Sequence, residues 1–128
     1  MKAQDVIGLT QRFIAFNTVN PPGNESELAT FIGNLLAENG FKVEWIPFEK
    51  NRLHLVAEKG CSNEKPLVVF SGHFDTVPIG ASSWTFNPFG GQIKDGKLYG
   101  RGASDMKGGL ACMIVAAILA FKKGTPAY

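Results

Sequence analysis

Three side chains in this sequence have the types and spacing to hold a metal or move a proton: His73, Asp75 and Asp105. His73 and Asp75 follow the apolar run Leu67-Val-Val-Phe70, which has strand length and is flanked by Pro66 and Gly72. Such a run suits a strand buried on both faces of a parallel sheet. Open α/β sheets place their sites just past the carboxyl ends of their strands. In extended backbone, residues two apart point the same way, so the imidazole and the carboxylate of His73-x-Asp75 are expected side by side. A carboxylate beside a histidine sets its tautomer and raises its basicity, the usual way a metal-ligating histidine is held. Asp105 then stands in a glycine-rich loop at the mouth of a long apolar helix.

Each fragment has an ordinary reading when taken alone. His-x-Asp occurs by chance at strand ends, and Gly100-x-Gly102-x-x-Asp105 is compatible with a plain turn into a helix. It also resembles a degraded dinucleotide fingerprint, since it follows a strand and opens a helix. Charge argues against that. Asp105 occupies the place of the third glycine, where a carboxylate repels a pyrophosphate. No acidic residue follows Asp105, so the ribose-binding carboxylate is missing as well.

Together the runs are informative. Ser71-Gly-His-Phe-Asp-Thr-Val-Pro78, Trp84-Thr-Phe-Asn-Pro-Phe89, Asp95-Gly-Lys-Leu-Tyr-Gly-Arg-Gly102 and Ser104-Asp-Met-Lys-Gly-Gly109 closely resemble the M20 metallopeptidase family, the co-catalytic zinc amidohydrolases. The resemblance extends from about Val6 to Phe121. It implies an α/β fold, a three-layer α/β/α zinc-exopeptidase-like catalytic domain with a mixed sheet. It implies His73 as ligand to one metal, Asp105 as the carboxylate bridging two, and Asp75 as the catalytic-site residue that orients His73. The cofactor it implies is Zn2+, two ions per complete site, with Co2+ or Mn2+ as substitutes. The substrate it implies is an N-acyl amino acid or peptide, cleaved at an amide bond by an activated water.

Several parts of the family pattern have no counterpart here: a Glu-Glu pair (general base and metal ligand), a further acidic ligand, a C-terminal histidine and an inserted dimerisation domain. The expectation is that residues 1–128 are the N-terminal portion of a catalytic domain and are inactive alone. A zinc site wants three protein ligands plus a water, and two ligands fall short. The alternative is a non-catalytic α/β module for binding or assembly.

The elements that must position these residues are readable in order. Val6, Leu9, Phe13 and Phe16 fall at helical spacing, a first amphipathic helix over about Gln4 to Phe16. Asn17-Thr-Val-Asn-Pro-Pro-Gly23 breaks it, because paired prolines force extended backbone. A second helix opens at Asn24, with Glu27 completing a capping-box pair. Leu28, Phe31, Ile32, Leu35 and Leu36 make its stripe, and Asn39-Gly40 its stop. Phe41 to Phe48 reads as a strand ended by Pro47, with Arg52 to Glu58 as its antiparallel neighbour and His54 as an ordinary strand residue. Trp84, Phe86, Pro88 and Phe89 form an aromatic loop that either walls a cleft or covers the end of the sheet. Gln92 to Tyr99 is a hairpin turning at Asp95-Gly96.

From about Met106 the last helix is apolar all round, which calls for cover on every side, and Lys122-Lys-Gly124 ends it. An apolar helix and an edge strand without their full cover predict self-association, as a homodimer or an aggregate.

Composition narrows the class. The chain has 128 residues, 45% of them hydrophobic, enough for one small domain with a core. A net charge of +2 with scattered lysines does not suggest nucleic acid. Cys61 in a polar loop and Cys112 in an apolar helix match no metal or redox spacing, so the expected compartment is a reducing cytoplasm. The apolar run Leu110 to Phe121 is twelve residues, short of the roughly 20 that span a bilayer.

Overall fold

A computed structural model describes residues 5–60 and 68–122 of the chain. Gln4, Cys61, Pro66, Leu67, Lys123 and Gly124 lie outside the described residues.

Helix α1 spans Val6–Ile14 and buries Leu9, Phe13 and Ile14. Asp5 caps it, accepting from the Gly8 amide at 2.9 Å. The helix stops two residues short of the expected Phe16. The Phe16 amide bonds to Phe13 O, tightening the last turn, and the Phe16 ring packs on Phe31 with centroids 5.6 Å apart.

Helix α2 spans Ser26–Glu38, and Asn24 does not cap it. The position before the helix is Glu25, whose carboxylate has no role as a cap because Arg52 holds it from the side. Arg52 Nε and Nη2 donate to Glu25 at 3.1 and 3.0 Å, and the Ser26 amide is satisfied by Asn51 O at 3.0 Å. A tertiary contact replaces the local box. The other end follows expectation: Gly40 takes φ 79°, a region that L side chains resist, and Phe41 N closes back onto Leu36 O.

Strands β1 (Lys42–Glu49) and β2 (Arg52–Glu58) form the expected antiparallel pair. Pro47 does not end β1. It pairs with Leu53 just before an irregularity in register, a place where a missing N–H is tolerated. His54 pairs with Ile46 and stacks on Phe48 at 5.3 Å, as an ordinary strand residue does. The second hairpin is β3 (Gln92–Lys94) with β4 (Lys97–Tyr99), and Asp95 and Gly96 have φ of 51° and 72° at its turn. Positive φ at both central residues matches the twist of the flanking strands.

Helices and strands mix as an α/β reading requires, but the expected central strand is not formed. Val68, Val69 and Phe70 are 69%, 75% and 54% exposed, and no ladder pairs them among the described residues. A strand buried on both faces needs a neighbour on each side. Among the described residues the two sheets are separate antiparallel pairs, and the site segment meets the body at a parallel bridge, Val19 to Thr76.

The core lies between α1, α2, the β1–β2 hairpin and helix α3 (Gly108–Lys122). Leu110, Ala111, Ile114, Val115 and Ile118 bury one side of α3 against Leu9, Phe13, Leu28 and Ile32. Its other side is not covered by the described residues: Gly109, Cys112, Ala116 and Ala120 are exposed, a stripe of small side chains. With the turn before it, the helical stretch Ala103–Lys122 reaches 20 residues, by length and composition enough to cross a membrane. Non-helical backbone at Asp105 and Met106 interrupts it, leaving 15 residues of α-helix packed on the core.

Candidate active site

Phe70 to Pro78 runs along the body, bridged at Thr76 to Val19, and brings the first two candidate residues against each other. His73 Nδ1 lies 3.0 Å from Asp75 Oδ1 and 3.0 Å from Asp75 O. The second motif approaches from the other side. Tyr99 ends β4, the chain turns through Gly100-Arg-Gly102, and Ala103–Lys107 forms an irregular turn into α3. Gly102 has φ 80°, and a Cβ there would sit 2.6 Å from Thr76 Cγ2, so only glycine lets this turn lie against the His73 segment. The turn closes through Lys107 N to Gly102 O at 2.8 Å, and Asp105 projects from it with an extended φ of −124°. Asp105 Oδ1 ends 2.9 Å from His73 Nε2. His73 N also donates to Met106 Sδ at 3.3 Å, a second tie between the motifs.

The structure thus brings all three sequence-predicted residues to one point, in the order Asp75, His73, Asp105. They line a cleft of about 230 Å³ together with Thr76, Val77 and the Gly100–Ser104 loop. The aromatic loop is not among its walls. Trp84 lies under the Arg101 guanidinium at 5.0 Å, Phe86 meets Tyr99 at 4.8 Å, and Pro88 O accepts from Arg101 N. Those residues brace the loop from behind.

Electrostatics follows from these contacts. Partial burial pulls the His73 pKa down, but the hydrogen bond to Asp105, the Asp75 carbonyl and both carboxylate charges outweigh it, and the pKa lies above 6.5. Asp75 is held below the usual carboxylate value, first by a hydrogen bond from Asn20 and then by His73, against the opposing effect of burial. Lys107, 1% exposed, is pushed down to about 8 by burial.

Two supporting residues escape a reading by motif. Asn20 Nδ2 donates to Asp75 Oδ2 at 3.1 Å across 55 residues of sequence, and nothing local announces it. Lys107 Nζ donates to Phe16 O at 2.7 Å. Its burial has a signal, since Lys107 falls in helical register with the buried Ala111, Ile114 and Ile118.

Known proteins show the same arrangement of sequence. Residues 69–126 match the family model described as Peptidase family M20/M25/M40. The chain is 42% identical over 123 residues to succinyl-diaminopimelate desuccinylase of Methylorubrum populi, an alignment covering 92% of this chain and 31% of that protein. Over these residues the chain is similar to the M20 family. It spans about a third of the length of this curated relative. His73, Asp75 and Asp105 all lie in the segment that matches the M20 model, whereas α1, α2, β1 and β2 precede it.

The donor set suits a metal in kind. His73 Nε2 and Asp105 Oδ1 are an imidazole nitrogen and a carboxylate oxygen, types that zinc takes, and Asp75 holds the other ring nitrogen as such sites require. In number it supplies two positions. Among the described residues no group of three or more His, Cys, Asp and Glu side chains is arranged to hold an ion.

Proposed function

We propose that this chain carries part of the metal-binding face of a hydrolase that cleaves an amide bond of an N-acyl amino acid or peptide. The observation that carries the reading is His73 Nε2 facing Asp105 Oδ1 at 2.9 Å, with Asp75 fixing the far side of the ring. Similarity to the M20 family supports the reaction class, and the relative's name, a desuccinylase of succinyl-diaminopimelate, supports an acyl amide as the scissile bond.

His73 and Asp105 would hold the metal, Zn2+ in the first place with Co2+ or Mn2+ as substitutes, and in the complete site two ions would share Asp105. The bound metal supplies Lewis acidity, which polarises a carbonyl and acidifies water. In the metal-loaded site Asp75 would keep the His73 proton on Nδ1, and the metal would take Nε2 in place of its present 2.9 Å contact with Asp105. The carboxylate of Asp105, its side chain 86% exposed, stays open to a ligand in the cleft. The proton transfers of amide hydrolysis need a positioned base. None of the three residues is free to serve, since each is committed to holding or orienting.

The three-layer sheet of the complete domain would pair Val68 to Phe70 with further strands and cover the small-residue side of α3. Support comes from the exposure of both.

The test is a Co2+ titration followed by visible absorption and calorimetry. Binding with a dissociation constant of about 1 μM or weaker, near −8 kcal/mol, and lost in His73→Ala and Asp105→Ala, is expected. A chain that takes up no Co2+ at millimolar concentration, or binds it equally after both substitutions, overturns the reading.

A further inference from the structure

We propose that Asn20, from the proline-rich segment after α1, is a positioning residue for the site: its side-chain amide clamps Asp75 and through it selects the His73 tautomer that presents Nε2 to a metal. The inference rests on reading His73 as a metal ligand.

The segment from Phe16 to Asn20 is fastened to the site strand by its main chain and by Thr18. Thr76 N donates to Thr18 O at 2.9 Å, Asn20 N donates to Thr76 O at 2.9 Å, and Thr18 Oγ1 donates to Phe74 O at 2.7 Å. Upstream, buried Lys107 holds the Phe16 carbonyl. The Asn20 backbone is therefore placed without help from its side chain, which is left to point at the carboxylate. Opposite a carboxylate an amide side chain must present its NH2 group, so Asn20 Nδ2 is the donor and Asp75 Oδ2 the acceptor, at 3.1 Å.

Asp75 is then held at both oxygens, Oδ2 by Asn20 and Oδ1 by His73 Nδ1. Among the described residues no other side chain hydrogen-bonds this carboxylate. Without Asn20 it can rotate about its χ2 torsion, a soft, broad well. Meanwhile Asp105 competes for the ring from the other side, at 2.9 Å from Nε2. A proton drawn to Nε2 blocks the atom that a metal needs. Asn20 tips this competition towards Nδ1–H by fixing the carboxylate acceptor there, beside the Asp75 carbonyl 3.0 Å from the same nitrogen, as outer carboxylate partners do for ligating histidines.

The experiment uses 15N-histidine NMR of the metal-free chain at a pH where the imidazole is neutral, followed by Co2+ titration. Asn20→Ala removes the donor. Asn20→Asp keeps the size and the main-chain ties but turns an acceptor towards Asp75, so a packing role alone would survive it. His54, stacked on Phe48 in the first hairpin, is the internal control.

Both variants are expected to raise the Nε2–H to Nδ1–H ratio of His73 by about 3- to 10-fold, the worth of one net hydrogen bond. His54 should stay unchanged, and Co2+ binding should weaken about 10-fold or more. An unchanged His73 tautomer ratio in both variants overturns the assignment of Asn20. A shifted ratio in a chain that binds no Co2+ even in its native sequence upholds the Asn20 clamp and overturns the hydrolase reading instead.

Discussion

Lys107 Nζ donates to the carbonyl of Phe16 at 2.7 Å, joining the turn that carries Asp105 to the end of α1. The lysine is 1% exposed and has no carboxylate partner among the described residues, so its charge is held there by one carbonyl dipole in the core. Burial lowers its pKa from 10.5 to about 8. At about 1.36 kcal/mol per unit, the charged form costs the fold about 3 kcal/mol at pH 7.

The sign of the pH dependence follows. Between pH 8 and 10.5 the unfolded chain binds more protons at this position than the folded one, so stability rises with pH. Relative to Lys107→Met, the native chain without metal should gain about 2 kcal/mol from pH 8 to pH 10. Below about pH 7, where both states are protonated, the difference should be flat. Urea unfolding of both proteins at pH 7, 8, 9 and 10 measures it, and a difference that stays level throughout refutes the neutralisation of Lys107.

Gly102→Ala should cost more than about 1 kcal/mol, because φ of 80° strains any L side chain. The new methyl would also press on Thr76 Cγ2, 2.6 Å away, and push apart the two segments that carry His73 and Asp105. Metal affinity should therefore fall along with stability. Gly96→Ala is the comparison, since φ there is 72° but a Cβ would meet nothing within 4 Å. It should lose stability and keep its Co2+ affinity.

The 128-residue chain should hydrolyse no N-acyl amino acid with Zn2+, Co2+ or Mn2+ added. Its three site residues provide two ligand positions and an orienting carboxylate, and no free base. Product release from N-succinyl and N-acetyl amino acids, followed over hours, checks this. Turnover that disappears in His73→Ala would show that these residues suffice.

Self-association should grow with concentration. Val68, Val69 and Phe70 expose apolar side chains on a segment that has no ladder among the described residues, and such unpaired segments recruit other chains. Sedimentation velocity should show species above 13.8 kDa. Val69→Lys, a charge on the edge, should return the chain towards the monomer. A native chain that stays monomeric at high concentration contradicts the expectation.

The elements legible in the sequence were those set by local periodicity and turn chemistry. The stripes of α1 and α2, the Asn39-Gly40 stop, the pairing of β1 with β2 and the Asp95-Gly96 hairpin all follow from contacts a few residues apart. The side-by-side placement of His73 and Asp75 was legible for the same reason, since two-residue alternation in extended backbone is local. Asp105 was singled out by its glycine-rich setting, but its 2.9 Å approach to His73 depends on Gly102 lying against Thr76.

Tertiary structure decided the rest. Arg52 took Glu25 and Asn51 took the Ser26 amide, so α2 opened without the capping box that Asn24 and Glu27 suggest. The run at Val68 to Phe70 has strand composition, yet a strand exists only where another chain segment completes its hydrogen bonds, and none does so among the described residues. Asn20 reaches Asp75 and Lys107 reaches Phe16 because helix packing folds distant segments together. Sequence spacing carries no trace of the Asn20 contact, because a hydrogen bond across 55 residues is specified by the packing of everything between them.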